Sequence, residues 1–139
     1  MRHHIILRVV SKLLIPFIML FALYVQFHGD YGPGGGFQAG VIFAAAIVLY
    51  TMIFGFEAAR RVAATGHVQA LGALGLLLYA GTGLASLLLG GNFLDYSVLL
   101  SDPLHGQHLG IFLIEFGVGV TVAAAMTSAF FCFVGRSRP

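Results

Sequence analysis

Between the apolar runs FIMLFAL and VIFAAAIVLY the chain reads YVQFHGDYGPGGGFQAG, residues 24–40, and this placement constrains the fold more than any other feature. Glycine permits positive φ and close backbone approach. Proline ends helical hydrogen bonding and biases the residue before it toward extended geometry. A compact turn between two uninterrupted apolar stretches describes a hairpin of two helices in lipid.

Four such stretches follow one another, at about 9–27, 37–56, 68–90 and 108–134. Each is near the roughly 20 residues that cross a bilayer. They are continuously apolar and rich in Leu, Ala and Phe, where strands would alternate. Apolar residues make up 59% of the chain and charged residues 9%, against about 25% charged in a soluble globular domain. The expectation is an all-α integral membrane bundle of about four transmembrane helices, one domain over residues 1–139 with no linker. The first run is longer than the apolar core of a signal peptide and lacks an A-x-A site, so it reads as a retained helix. Cys132 is the single cysteine, so no intramolecular disulfide can form.

Arg2, Arg8 and Lys12 stand at the start, Arg60 and Arg61 between the second and third runs, and Arg136 and Arg138 at the end. The other two loops, about 28–36 and 91–107, carry Asp30, Asp95 and Asp102 and no Lys or Arg. Positively charged loops stay in the cytoplasm, which predicts both termini there. The net charge of +2 is then a topology signal and not a sign of nucleic-acid binding. Lys12 lies about one turn inside the first run. It is expected to snorkel to the interface, with a place in a proton path as the alternative.

The turn residues Asp30, Pro33, Gly34, Gly35, Gly36, Phe37 and Gly40 have two readings. Gly36, Gly40 and Ala44 recur every four positions and form a face suited to close helix packing. Exposed amides at a helix start can instead bind an anion. The lysine of a phosphate loop is missing, so nucleotide binding is not expected. Small residues recur similarly at Gly81 and Ala85, and at Gly119, Ala123 and Thr127.

Glu115 is the carboxylate deepest in an apolar run, seven residues beyond His108 and on the same helical face. Seven residues of helix rise about 10 Å, which predicts a site well inside the hydrocarbon. An unpaired charge there costs from about 2.5 kcal/mol upward, so intramembrane acids mark pathways or find partners. Glu115 is a candidate proton- or cation-relay group. Its structural alternative is a protonated Glu hydrogen-bonded to another helix or subunit. His28 and Asp30 share one loop; Asp102, His105 and His108 share the other, with His105 and His108 spaced to face together. A zinc site needs about four ligands, and no Cys partner or H-E-x-x-H pattern is present, so no metal is expected. The ligand sets of haem or iron–sulfur clusters are also missing, and no cofactor is expected. No convergent nucleophile, base and metal set marks a stand-alone enzyme.

Gly29-Asp30, the run Pro33 to Phe37, and Gly40 resemble the signature of the B-type component of Mrp-type cation/proton antiporters, a family also written MnhB. His108 and GIFLIEFGVGVTVAAAM over 110–126, with Glu115 inside, form a second match. The middle run carries little of the likeness. The resemblance implies a small membrane subunit of a multi-subunit complex that exchanges cytoplasmic Na⁺ for external H⁺. It implies large antiporter-like partner subunits, which hold the main ion-translocating residues, and small ones, notably a C-type subunit. It places the complex in the lipid bilayer of the bacterial cell membrane. The role implied is support of assembly, with Glu115, His108 and Lys12 as candidates for ion or proton passage. The alternative is the equivalent membrane subunit of a redox-driven complex such as a membrane-bound hydrogenase.

Overall fold

The computed structural model describes residues 4–136; Arg2, His3 and Arg138 lie outside the described residues. These form five α-helices and a 3-10 turn, with no strand among them. Four of the helices are long and apolar enough to cross a membrane.

Helix α1, Ile5–His28, begins before the expected position near 9 and takes Arg8 and Lys12 into its first turns. Both are strong helix formers whose apolar stems lie along a helix while the charged heads reach water. The Arg8 guanidinium sits 5.3 Å from the centre of the Phe54 ring. Pro16 lies inside α1, which a membrane helix tolerates where neighbours compensate the lost hydrogen bond. Ser11, Ile15, Ala22 and Gln26 mark the buried face of α1.

Helix α2, Gly36–Phe54, stops at Gly55, whose φ of 97° no helix continues through. The apolar run expected over 37–56 is thereby divided. Phe56–Val62 forms a separate short helix, α3, that the apolar pattern alone does not separate. Phe56 meets Phe131 edge-on at 5.4 Å, and Ala59 completes this small core. Arg60 lies over the Phe56 ring at 5.7 Å.

Helix α4, Thr65–Leu88, is followed by a loop containing the 3-10 turn Tyr96–Val98. The Asp95 carboxylate accepts hydrogen bonds from the Ser97 amide and hydroxyl there. Helix α5, Pro103–Arg136, starts earlier than the expected 108 and runs for 34 residues. The reason is local: Asp102 accepts the Leu104 N–H at 3.1 Å, and proline at the first helical position gives up an amide that has no helical partner anyway.

Helix α5 packs against α4 on one side and α2 on the other, while α1 packs mainly on α2. Backbones approach closely at both α5 seams. A methyl group on Gly75 would stand 2.7 Å from the Gly117 carbonyl oxygen, and one on Gly40 would stand 2.6 Å from that of Gly119. The buried positions late in α4 are Thr82, Gly83 and Ser86, whereas Gly81 has open space beside it. The stripe of Gly81 and Ala85 is thus not a packing face within this chain; the Phe93 ring, folded back from the loop, fills the space at Gly83.

Arg8 beside Phe54 and Gly135 beside Phe56 bring both described ends of the chain and α3 to one end of the bundle. The turn 29–35 lies at the other. Helix α2 is about 28 Å long and the stretch of α5 from Glu115 to Arg136 about 32 Å, close to a hydrocarbon core of about 30 Å. The part of α5 from Pro103 to Glu115 rises about another 18 Å.

Candidate functional site

The site is built where the turn between α1 and α2 meets α5. Gly36, the first residue of α2, lies directly against the Glu115 backbone carbonyl. Any side chain there would collide with it, so Gly36 sets how closely α2 approaches α5. Gly35 turns the chain into α2 with φ 138°, a conformation that glycine adopts freely. Gly34 packs on the Val25 carbonyl, where an added methyl would fall 2.9 Å from the oxygen.

The Glu115 carboxylate rests against this glycine backbone. A methyl placed on Gly29 would stand 2.7 Å from Oε2, and one on Gly35 would stand 3.3 Å from Oε1. The glycines therefore form a cradle that a side chain would fill. Glu115 is only half-buried. It lies about two turns beyond His108, yet level with the last turn of α1 and the first of α2. The expectation of a site deep within the apolar span counted α5 alone; α1 and α2 end at the height of Glu115, whereas α4, whose Leu78 and Tyr79 meet Gly117, runs on past it to Leu88.

Asp30, in the same turn, carries the charge that acts on Glu115. Its Oδ2 stands 3.7 Å from His108 Nδ1. This separation is too long for a hydrogen bond but allows an ion pair when the imidazole is protonated. His105 pairs with Asp102 at 2.7 Å instead of turning toward His108. The two histidines thus belong to different pairs. His28 stacks on Tyr24 at 5.2 Å and lies near Tyr31. Among the described residues no three His, Cys, Asp or Glu side chains converge on a point.

Lys12 is exposed, about four turns of α1 away from His28, and does not join Glu115. Pro33 and Phe37 face outward, with Phe37 64% exposed. Gly40 lies one turn below Gly36 on the same α5 seam.

One residue of the site was not singled out from the sequence. Gln26 of α1 is 6% exposed, and its Oε1 lies against Gly119, one helical turn from Glu115. Its Nε2 has no hydrogen-bond partner among the described residues. The available signal was an uncharged polar residue inside the apolar run LYVQF. Gln26 also lines a cavity of about 270 Å³ between α1, α2, α4 and α5, together with Phe43, Leu71, Phe116 and Thr127.

Four apolar spans around a glycine cradle that holds a single carboxylate define a small helical membrane protein of the kind that works among other subunits. The profile of the family described as "Domain related to MnhB subunit of Na+/H+ antiporter" matches residues 6–128, and the chain belongs to that family. It is 30% identical over 128 residues to the B-type subunit of the Na(+)/H(+) antiporter of Bacillus subtilis (strain 168), covering 85% of this chain and 89% of that one. It is 31% identical over 133 residues to the antiporter subunit mnhB2 of Staphylococcus aureus (strain MRSA252), covering 88% and 94%. It is 30% identical, with the same coverage, to the subunit of that name in Staphylococcus haemolyticus (strain JCSC1435).

Proposed function

We propose that this chain is the B-type membrane subunit of a multi-subunit Na⁺/H⁺ antiporter and that its cradle of turn glycines and Glu115 is a station for the ion or proton at the outer mouth of the complex. The family match over residues 6–128 supports the first part. The carboxylate seated against Gly29 and Gly35 carries the second. A group that only anchored packing would be matched by a donor. Glu115 instead faces backbone and a second acid, Asp30, and such an arrangement suits a group that exchanges its charge.

The chain acts as a transport subunit, without chemistry of its own. Its partners are large antiporter-like subunits and small ones, including a C-type subunit. The complex lies in the bacterial cell membrane, in keeping with the bacterial sources of the relatives. The basic end, with Arg8, Lys12, Arg60, Arg61 and Arg136, faces the cytoplasm by the positive-inside rule. His108 and Asp30 stand at the outer entrance, and Lys12 serves as a cytoplasmic interface anchor.

Glu115→Gln keeps the shape of the side chain but cannot ionise. The variant complex should assemble, as read by pull-down, while Na⁺-dependent ΔpH changes in vesicles are lowered or their pH profile displaced. Wild-type exchange across the whole pH range would leave Glu115 a packing residue.

A further inference from the structure

Two unmatched groups stand one helical turn apart. Gln26 Nε2 is a buried donor with no acceptor among the described residues. The Glu115 carboxylate is an acceptor with no hydrogen-bond donor among them, held on the turn side of its helix against Gly29 and Gly35. Buried polar groups in folded proteins are nearly always paired, so each exception calls for a reason. Gln26 is such an exception, and Glu115, a half-buried acceptor, complements it.

Glycine backbone lies between them. Gly119 lies four residues beyond Glu115 on the same face of α5, and the Gln26 Oε1 fits against its bare Cα. Gly36 closes the third side and adds only backbone, with its own carbonyl oxygen directed toward Gly119. The slot is therefore walled by glycines from α2 and α5. One helical turn is about 5.4 Å, a span that rotation of two long, flexible side chains can bridge. Beyond Gln26 lies the cavity of about 270 Å³, where the other described side-chain atom buried without a partner, Thr127 Oγ1, also resides.

We propose that Gln26 is the inner hydrogen-bonding partner of Glu115, so that the carboxylate alternates between an outer seat on the turn glycines and an inner seat on Gln26 Nε2. The proposal rests on reading Glu115 as an ion- or proton-carrying group. In the outer seat Glu115 faces Asp30 and, through it, His108; His28 lies at the adjoining end of α1. Helix α2 presents no charged side chain to it, its sequence having none. In the inner seat the amide donates to the carboxylate and turns it toward the cavity. Gln26 is thus a positioning residue: it decides which side of the turn Glu115 serves.

The test uses the whole complex in vesicles and a double-mutant cycle. Gln26→Met removes the donor and keeps the length. It should lower Na⁺-dependent exchange at least threefold with assembly retained. In a Glu115→Gln background the same substitution should change exchange by less than twofold, since Gln26 acts only through Glu115. The swapped pair, Gln26→Glu with Glu115→Gln, should recover part of the loss. Independent effects of the two single substitutions would overturn the proposal, and so would wild-type exchange by Gln26→Met. If Glu115→Gln itself exchanges as wild type, the reading of Glu115 falls first. Where the Met variant does not assemble, structures of the wild-type complex at acidic and alkaline pH decide. Nε2 within hydrogen-bond distance of Glu115 in either supports the inner seat. Nε2 bonded to another subunit, or unbonded, in both overturns it.

Discussion

Glu115 Oε2 and Gly29 are so close that a single methyl group on the glycine would stand 2.7 Å from the oxygen. The last residues of α1 and the middle of α5 are far apart in sequence, and this contact ties the turn to the acid. It also separates two kinds of glycine, those that seat a movable side chain and those that seat backbone.

Gly29→Ala meets only the end of a flexible carboxylate, which can rotate away. This variant should assemble normally and show altered exchange. Gly36→Ala and Gly40→Ala meet carbonyls of α5, which cannot move without separating the helices. Overpacking of this kind costs about 1–3 kcal/mol, so both should lower recovery of the complex in pull-down before any effect on transport is read. Equal behaviour of the three variants would contradict the division.

Asp30 and His108 form an exposed pair. His108 is 64% exposed on its side chain, and exposed pairs contribute about 0.2–1 kcal/mol. A thermal-stability cycle of Asp30→Asn and His108→Asn in detergent should show coupling of at most that size, weakened by added salt. Coupling that salt leaves unchanged would mean that an ion pair does not join them.

Topology can be checked with cysteines at exposed positions. Tyr31 is 82% exposed at the turn end and Val62 is 72% exposed at the basic end. In intact cells and a Cys132→Ser background, an impermeant thiol reagent should label Tyr31→Cys and the loop variant Asn92→Cys, but not Val62→Cys. Outside labelling of position 62 would reverse the orientation.

Tyr96 lies outside the spans, its ring folded against Gly110. Burial pushes its phenol above the usual 10.0, and Tyr79 adds to the effect. A raised value means that the folded chain favours the protonated phenol. The contribution to stability is full below the ordinary tyrosine value and is lost as pH rises through the folded one. Absorbance titration in detergent should show one tyrosine ionising late, and Tyr96→Phe should remove that step.

The four spans were legible because lipid demands long apolar runs, and the turn because glycine and proline punctuate them. The break at Gly55 was not: one glycine in an apolar run reads as helix until its φ is known. The early start of α5 was hidden because SDPLHGQH is polar, although the Asp-Pro pair is a helix-start signal that hydropathy ignores. For the site, Glu115, Asp30 and His108 were named from their positions in the chain. That turn and acid share one height could not be read, since it depends on how α2 slides along α5, which the contact at Gly36 fixes. Gln26 was passed over because an amide in an apolar run carries no charge to draw notice.

The overhang of α5 also leaves the helices staggered. Helices α1 and α4 are equally long at 24 residues each, yet α1 ends at the height of Glu115 while α4 runs past it to Leu88. A bilayer matched to the flank of α1 and α2 would place its surface at the turn, thinning beside α4 and α5. Glu115 would then meet headgroups and water without a channel drilled through the bundle.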